Sequence, residues 1–290
     1  MPLILHCLDA LTHGPKPPNE DAHGVAPGAA WVIDGATGVN RGANILEPSG
    51  AAWLAQTLSD TLAGLLSGGT PADLDATVAA AEARVAAAFE QAVGDRAIEA
   101  PDLPTACLGL ALLHGRALHL AAIGDISILH RKADGTVTLL SDHAIEAVAS
   151  RTQAAFAEAR RLRPDEDPWP LVRETIRENR LLANQPGGYN VVHPRVPWRS
   201  LLVRATHPVA PGDVLLLVTD GFYRLIDHFG IHTEADLVEA ALSQGLRPMI
   251  DRLRAEENAD PHGVRAPRIK KHDDATAVLV RVAAGDDDTN

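Results

Sequence analysis

The sequence predicts an α+β fold in which helices pack outside antiparallel β-sheets. Short apolar runs of strand length occur in clusters, and alanine- and leucine-rich segments with helical spacing lie between the clusters. Glycine and Asp-Gly turns join consecutive strands within the clusters, which is typical of antiparallel pairing. No internal repeat or low-complexity linker divides the chain. We therefore expect one layered domain over residues 1–284, followed by a disordered acidic tail at 285–290.

The first half of the chain is expected to start with strands, continue with two helices and return to strands. Apolar runs at 3–11 and 29–33 indicate strands, and helical spacing follows at 47–66 and 72–93. Four further strands are expected at 105–113, 117–123, 127–131 and 136–140. Because Asp134-Gly135 is a hairpin signal, we expect these four strands to form an antiparallel meander.

The second half is expected to alternate in the same way. Residues 145–183 have helical character that is broken by prolines, and the Pro- and Gly-rich stretch 184–199 indicates an irregular loop. The remaining predicted elements are strands at 201–205, 214–219 and 276–282 and helices at 234–243 and 247–257. The region around 142–199 therefore reads as a helical insertion in a sheet-based fold.

Composition excludes several classes of function. The 290 residues are 46% hydrophobic and 22% charged, which is the profile of a soluble globular protein. The net charge of -12 disfavours nucleic acid and anionic membranes as partners. No apolar run approaches the ~20 residues of a membrane span, and the N-terminus lacks a basic signal region, so we expect a cytoplasmic protein. Cys7 and Cys107 lie in apolar stretches and are expected to be buried.

Carboxylates lie at the ends of predicted strands. Asp34 and Asp220 each end an apolar run, Asp273 precedes another, and Asp21 lies in a similar position near the N-terminus. Strand ends are rigid points, so carboxylates fixed there can converge. Converging carboxylates repel one another unless cations bind between them.

Hard divalent ions are the cations that fit such a cluster, because Mg²⁺ and Mn²⁺ prefer oxygen ligands. Glycine after Asp34 and after Asp220 permits close approach of the main chain to a ligand. Any single Asp-Gly pair is more often a simple turn, as expected for Asp134-Gly135. The ordered combination with apolar strands is what favours a metal site.

The combination resembles the metal-dependent protein phosphatases, the protein phosphatase 2C-like family. The resemblance rests on five blocks in the family's order: NEDAH at 19–23, VIDGATG at 32–38, AIGDIS at 122–127, LLVTDG at 216–221 and HDDATAV at 272–278. It implies a four-layer sandwich of two antiparallel sheets flanked by helices. It also implies hydrolysis of phosphoserine or phosphothreonine in proteins, two Mn²⁺ or Mg²⁺ ions, and a possible cognate kinase.

The resemblance also implies roles for individual residues. Asp34 would bridge two metals, the Gly35 carbonyl would bind one of them, and Asp220 and Asp273 would complete the other. Glu20 and Asp21 would hold metal-bound waters, with Asp21, Asp34 and the phosphate-contacting Lys16 counted as catalytic. Asp125 matches a residue that helps to bind a third metal in many bacterial members.

The sequence departs from the family pattern at three positions. Lys16 stands where the family usually has a phosphate-binding arginine, so we expect Lys16 to contact phosphate as a point charge. Ala36 stands where many eukaryotic members have a histidine proposed as general acid. Arg224 replaces a carboxylate that helps to hold the third metal, so we expect that ion to be weak or absent, with Asp227 as a possible substitute.

Two other functions remain open. A pseudophosphatase would keep the fold and bind a partner without catalysis, and Lys16 and Arg224 would then mark the loss of activity. A phosphatase for a small phosphoester would depend on the shape of the 184–199 loop. The arginines of the insertion could contact an acidic phosphopeptide, although the interleaved glutamates favour a solvated helix face.

Overall fold

Two five-stranded antiparallel sheets form the centre of the molecule, seen in a computed structural model that describes residues 1–39, 45–68, 73–163 and 165–285. The strands are β1 Leu3–His13, β2 Asp21–Ala26, β3 Ala29–Gly35, β4 Ala106–His114, β5 Ala117–Ile123, β6 Ser127–Arg131, β7 Val137–Ser141, β8 Val203–Pro208, β9 Val214–Val218 and β10 Ala275–Ala284. One sheet has the order β1-β10-β9-β6-β7 and the other β2-β3-β4-β5-β8. Of the predicted tail, residues 286–290 lie outside the described residues, and the domain boundary at 284 stays a prediction.

Helices cover the outer face of each sheet. The helices within the described ranges are α1 Gly50–Leu66, α2 Leu74–Val93, α3 Glu146–Leu162, α4 Trp169–Arg180, α5 Asp220–Asp227, α6 Glu234–Gln244 and α7 Leu246–Ala259. Helices α1 and α2 pack on β2–β5, while α5, α6 and α7 pack on β6, β9 and β10. The predicted four-layer α+β sandwich is therefore confirmed.

Alternation along the strands builds the layers. In β4, Leu108, Leu110 and Leu112 face α1 and α2, whereas Cys107 and Leu113 face the opposite sheet. In the same way, alternate residues of β9 contact either the helices or the other sheet. Strands that are buried on both faces are continuous apolar runs in the sequence, so the sequence predicts their bounds accurately.

The predicted meander is wrong. β4 pairs with β5 in one sheet, but β6 pairs with β7 and β9 in the other, and the predicted hairpin at Asp134-Gly135 joins β6 to β7. The chain leaves the first sheet at Gly124, whose φ of 77° lies in the region that favours glycine. Asp125 therefore lies at the crossover between the two sheets.

The predicted insertion forms a helical hairpin of α3 and α4. Phe156 and Trp169 form its small apolar core, and Ile269 from the loop before β10 packs against them. The indole N–H of Trp169 also donates to the carbonyl of Val39 at 3.3 Å. The hairpin is thus fastened to the loops that follow β3 and precede β10.

Cysteine burial differs from expectation at one position. Cys107 is buried between the sheets, but Cys7 is exposed on β1, next to a register shift between Cys7 and Asp9. An edge strand with one exposed face accounts for the error, because apolar neighbours in sequence do not fix which face a residue takes. No helix in the described part of the chain is both long and apolar enough to span a bilayer.

Candidate active site

Carboxylates from both sheets meet at one end of the sandwich. Asp21 and Asp34 are direct partners in the β2–β3 pairing. Asp220 begins α5 immediately after β9, and Asp273 lies just before β10, the neighbour of β9. Asp125, at the crossover between the sheets, completes the group. The sequence therefore located these acids at strand ends, and the sheet topology brings them together.

The pKa values of the cluster reveal its electrostatic cost. Burial, together with the charges of Asp21, Asp220, Asp125 and Asp273, raises the pKa of Asp34 well above its usual range. Burial, Asp125 and Asp273 raise the pKa of Asp220 to about 7, although a hydrogen bond with the Asp34 carboxyl group partly opposes this shift. These carboxylates are held together against their mutual repulsion.

Asp21 is fixed by two threonine hydroxyl groups. Thr219 and Thr276 donate to its Oδ2 at 3.0 and 2.7 Å. Burial still raises the pKa of Asp21 well above the usual value, and the charges of Asp274 and Asp220 add to the shift. The threonines come from the end of β9 and the start of β10, so they orient a carboxylate of one sheet from the other sheet.

Glu20 is oriented just as firmly. The Thr37 hydroxyl donates to one of its carboxylate oxygens, and the Ser49 hydroxyl donates to the other at 2.7 Å. Ser49 is also the N-cap of α1, where its Oγ accepts from the backbone N–H of Ala52. The start of α1 therefore belongs to the structure of the site.

Gly35 lies where a side chain has no room. A Cβ atom at this position would be 2.6 Å from the carbonyl oxygen of Glu20 and 2.7 Å from that of Ala51. The Gly35 N–H donates to the same Glu20 carbonyl at 3.0 Å. Glycine thus brings β3, the segment before β2 and α1 into contact beside Asp34.

Asp273 differs from the other acids because two cations already contact it. Lys270 Nζ lies 2.8 Å from Oδ1, and Arg224 Nη2 lies 2.8 Å from Oδ2. Burial alone would raise the pKa of Asp273, but Lys270 and Arg224 outweigh burial and lower it. The same carboxylate outweighs burial at Lys270 and raises the pKa of the ammonium group, which therefore stays charged.

Lys270 is a site residue that the sequence did not predict. Its ammonium group also donates to the Thr37 hydroxyl at 2.9 Å, so it joins the loop after β3 to the loop before β10. The available signal was the three-residue spacing from Lys270 to Asp273 in a loop. Such a spacing predicts contact on a helix but has no fixed meaning in irregular structure.

Arg224 lies beside the cluster, as its position after Asp220 suggested, but it faces Asp273. Its other terminal guanidinium nitrogen, Nη1, donates to Glu257 at 2.9 Å, and the two side chains are 5% and 0% exposed. Asp227, the suggested substitute ligand, contacts His228 at 2.7 Å and raises the pKa of Asp125 only as a minor cause after burial. Whether a third ion binds stays a prediction.

Asp125 has an unexpected neighbour in Cys107. A hydrogen bond from the Cys107 thiol partly offsets the burial that raises the pKa of Asp125. Burial, Asp125 and Asp34 in turn raise the pKa of the thiol well above its usual value. The thiol therefore acts as a protonated donor to Asp125.

Two cavities adjoin the carboxylates. A cleft of about 980 Å³ is lined by Lys16, Glu20, Thr37, Lys270 and Asp273 among others, and Lys16 is exposed at it. A smaller cavity of about 320 Å³ is lined by Asp34, Asp125 and Asp220 on one side and by the α3–α4 hairpin on the other. Substrate-sized space therefore lies on the side of Lys16 and Lys270.

The insertion arginines divide into two groups. Arg161 and Arg163 pair with Glu158 and Glu166 at the surface, as a solvated face predicts. Arg180, however, donates to the carbonyl groups of Ala36 and Thr37 at 3.0 and 2.8 Å. Arg160 likewise donates to the carbonyl groups of Arg268 and Ile269, both at 2.8 Å. These two arginines hold the loop that follows Asp34 and the loop that carries Asp273.

The donor set fits divalent cations in part. Asp34, Asp220, Asp21 and Asp125 supply only oxygen, and a hard cation would relieve the repulsion that raises their pKa values. Asp273 does not fit in its present arrangement, because both of its oxygens are held by cations. Across the described ranges, no three His, Cys, Asp or Glu side chains are arranged as a ready metal-binding group.

The chain belongs to the protein phosphatase 2C family, because the sequence model of that family matches residues 15–264. The matched region includes Asp34, Asp125 and Asp220 and ends before Asp273. No curated protein sequence matches the chain significantly.

Solved structures support the same fold. The catalytic domain of the serine/threonine protein phosphatase PstP, in complex with two manganese ions, is 19% identical with a TM-score of 0.58, covering 97% of this chain and 100% of that one. PstP/Ppp from Mycobacterium tuberculosis is 17% identical with a TM-score of 0.58, covering 98% and 100%. The phosphatase MsPP from Mycobacterium smegmatis is 21% identical with a TM-score of 0.51, covering 97% and 100%. At these identities the likeness establishes the fold.

Proposed function

We propose that this protein is a metal-dependent phosphomonoesterase that removes phosphate from phosphoserine or phosphothreonine in proteins. The observation that carries the proposal is the convergence of Asp34 and Asp220, with their raised pKa values, in a chain of the protein phosphatase 2C family. Two Mn²⁺ or Mg²⁺ ions are the proposed cofactors. The structure of PstP with two manganese ions supports manganese.

Asp34, Gly35 and Asp220 would hold the two ions together with Asp273 once Lys270 or Arg224 releases it, with Glu20 and Asp21 orienting bound water. Asp125 would belong to a third, weaker ion. When bound, the ions would supply water activation and charge stabilisation on the phosphoryl oxygens. The protein's own part is rigid positioning. Thr219 and Thr276 aim the Asp21 carboxylate, and Thr37 and Ser49 aim that of Glu20.

Lys16 is proposed to attract the substrate phosphate. Its exposed side chain lines the 980 Å³ cleft on the same side as Glu20, where a phosphorylated side chain could enter. A flexible ammonium group attracts phosphate without the two-point geometry of arginine. We therefore expect Lys16→Ala to raise KM more than it lowers kcat.

Hydrolysis of p-nitrophenyl phosphate tests the proposal directly. We expect turnover that requires Mn²⁺ and is lost on Asp34→Asn. Asp134→Asn is the matched control, because Asp134 also precedes a glycine but lies in the exposed β6–β7 turn. Turnover that persists in Asp34→Asn, or fails to appear with any divalent ion, would contradict the proposal. Phosphopeptides compared with sugar and nucleotide phosphates would then separate a protein phosphatase from one for small phosphoesters.

A pseudophosphatase is the second candidate function. The contacts of Lys270 and Arg224 with Asp273 favour it, because they neutralise a carboxylate that the family resemblance assigns to metal. On this alternative, the chain would bind a phosphorylated partner without releasing phosphate. The same assay decides, since Mn²⁺-dependent turnover excludes this candidate.

A further inference from the structure

Lys270 occupies a position beside Asp273 that resembles that of a bound cation. Its ammonium group lies 2.8 Å from Asp273 Oδ1 and 2.9 Å from the Thr37 hydroxyl, and its charge also acts on Asp34 and Glu20. Three of these residues, Asp273, Asp34 and Glu20, are carboxylates to which the family resemblance assigns the role of metal ligand or of orienting metal-bound water. The chain thus places a covalently attached positive charge inside its own carboxylate cluster.

A divalent ion at Asp273 would compete directly with this charge. The ion needs a carboxylate oxygen, and Lys270 and Arg224 each hold one of the two. Like charges a few ångströms apart in a partly buried site repel by several kcal/mol even at an intermediate dielectric constant. The ion can bind at full strength only when one of the two cations moves away.

Lys270 and Arg224 differ in how easily they can move. The Arg224 side chain is 5% exposed and is held by the fully buried Glu257 at 2.9 Å. The Lys270 side chain is 33% exposed and lines the open cleft. Its other partner, Thr37, keeps a hydrogen bond to Glu20 when Lys270 leaves. Lys270 is therefore the cation that can be displaced.

We propose that Lys270 is an intramolecular competitor for divalent metal at Asp273, which keeps that metal position weak until the free ion concentration is high. The inference rests on the proposed function for the kind of ion involved. Binding of the ion would turn the Lys270 ammonium group into the cleft, beside Lys16. The protein would then take up its ions in two steps, first the ion at Asp34 and Gly35 and later the ion that Asp220 and Asp273 complete.

Isothermal titration calorimetry with Mn²⁺ alone tests this order. The unsubstituted protein is compared with Lys270→Gln, which removes the charge, and with Lys270→Arg, which keeps it. Lys271→Gln is the matched control, because Lys271 is exposed and its substitution removes the same charge one residue away from Lys270. Circular dichroism and thermal unfolding of each variant show that the fold is intact.

We expect the weak Mn²⁺ step to tighten at least about tenfold in Lys270→Gln, given the size of the repulsion removed. Lys270→Arg and Lys271→Gln should titrate like the original protein. Equal affinity and stoichiometry in Lys270→Gln and the original protein would overturn the inference, as would equal tightening in Lys271→Gln.

The outcome is separable from that of the proposed function. A protein that binds Mn²⁺ in two steps but hydrolyses no phosphoester would refute the phosphatase proposal and leave the competition intact. Conversely, Mn²⁺-dependent turnover by a protein with a single Mn²⁺ affinity, unchanged in Lys270→Gln, would support the phosphatase proposal and refute the competition.

Discussion

Glu257 is a fully buried anion that pairs with Arg224, and its replacement by glutamine should destabilise the protein strongly. The Glu257 carboxylate is fully buried and accepts hydrogen bonds from Arg224 Nη1 at 2.9 Å and Arg254 Nη1 at 2.7 Å. The arginine side chains are themselves only 5% and 13% exposed. Glutamine keeps the shape of the side chain but leaves two buried cations with one fewer anion.

The expected loss follows from the burial of these groups. Removing one partner of a buried ion pair typically costs about 3–5 kcal/mol, because the remaining charge stays out of water. Asp273 still contacts Arg224 through Nη2 at 2.8 Å, so we expect a value near the lower end, about 3 kcal/mol. The assay is urea unfolding followed by circular dichroism, in the presence of a chelator.

Glu256→Gln is the matched control. Glu256 also contacts two arginines, Arg252 and Arg265, but these are each 60% exposed. Solvated pairs of this kind contribute about 0–1 kcal/mol. A loss of less than about 1 kcal/mol in Glu257→Gln, no larger than in the control, would refute the reasoning that burial makes this network strong.

Three other predictions concern the site. The pKa of Asp220 is raised to about 7 in the folded protein, so the folded state binds this proton more tightly than the unfolded state does. Its contribution to the stability of the metal-free fold is therefore present at low pH and is lost as the pH rises towards about 7. Asp220→Asn should therefore stabilise the metal-free protein more at pH 7.5 than at pH 5, and an equal effect in chemical unfolding at both pH values would contradict this. Gly221→Ala should cost about 1–3 kcal/mol, because its Cβ would lie 1.9 Å from the Asp274 carbonyl oxygen. In contrast, Gly64→Ala on the exposed face of α1 meets nothing within 4 Å and should gain about 0.5–1 kcal/mol, so equal thermal shifts would disprove the distinction. Arg180→Ala should lower Mn²⁺-dependent kcat about tenfold or more by releasing the Ala36–Thr37 loop. Arg177→Ala, on the same helix but paired at the surface with Glu99, should leave kcat nearly unchanged, and matching losses would count against a loop-holding role.

Much of the fold was predictable because the strands are buried on both faces. Continuous apolar runs located β4, β5, β6 and β9 to within about one residue. Elements with weaker patterns were missed. β2 has the sequence DAHGVA, which is too polar and small to stand out, and the eight-residue α5 is too short for a reliable helical period.

Pairing between distant strands was not predictable from local pattern. The four runs from β4 to β7 looked continuous, but Gly124 sends the chain to the other sheet. Strands that are neighbours in sequence usually pair, but β5 and β6 do not. Their separation depends on the positive φ of Gly124, a conformation that a glycine permits but does not require.

The acids of the site and the neighbouring Arg224 were predictable, whereas Lys270 and Arg180 were not. Asp34, Asp220 and Asp273 can be recognised in the sequence because each adjoins an apolar run that forms a strand. Lys270 and Arg180 adjoin no such run. Both act through contacts with Thr37, which lies 233 residues from Lys270 and 143 residues from Arg180 in sequence. An interleaved pattern of arginine and glutamate predicts a solvated helix face on average, and it cannot single out the arginines that turn inwards.

The pairing of β1 with β10 has a consequence for how the protein is made. β10 lies between β1 and β9, so a ribosome-bound chain lacking residues 275–284 has its first strand unpartnered and its sheet divided. Asp273 lies just before this strand, so the two are synthesised together. A nascent chain that stops before β10 should therefore lack both an interior strand of this sheet and the complete carboxylate cluster.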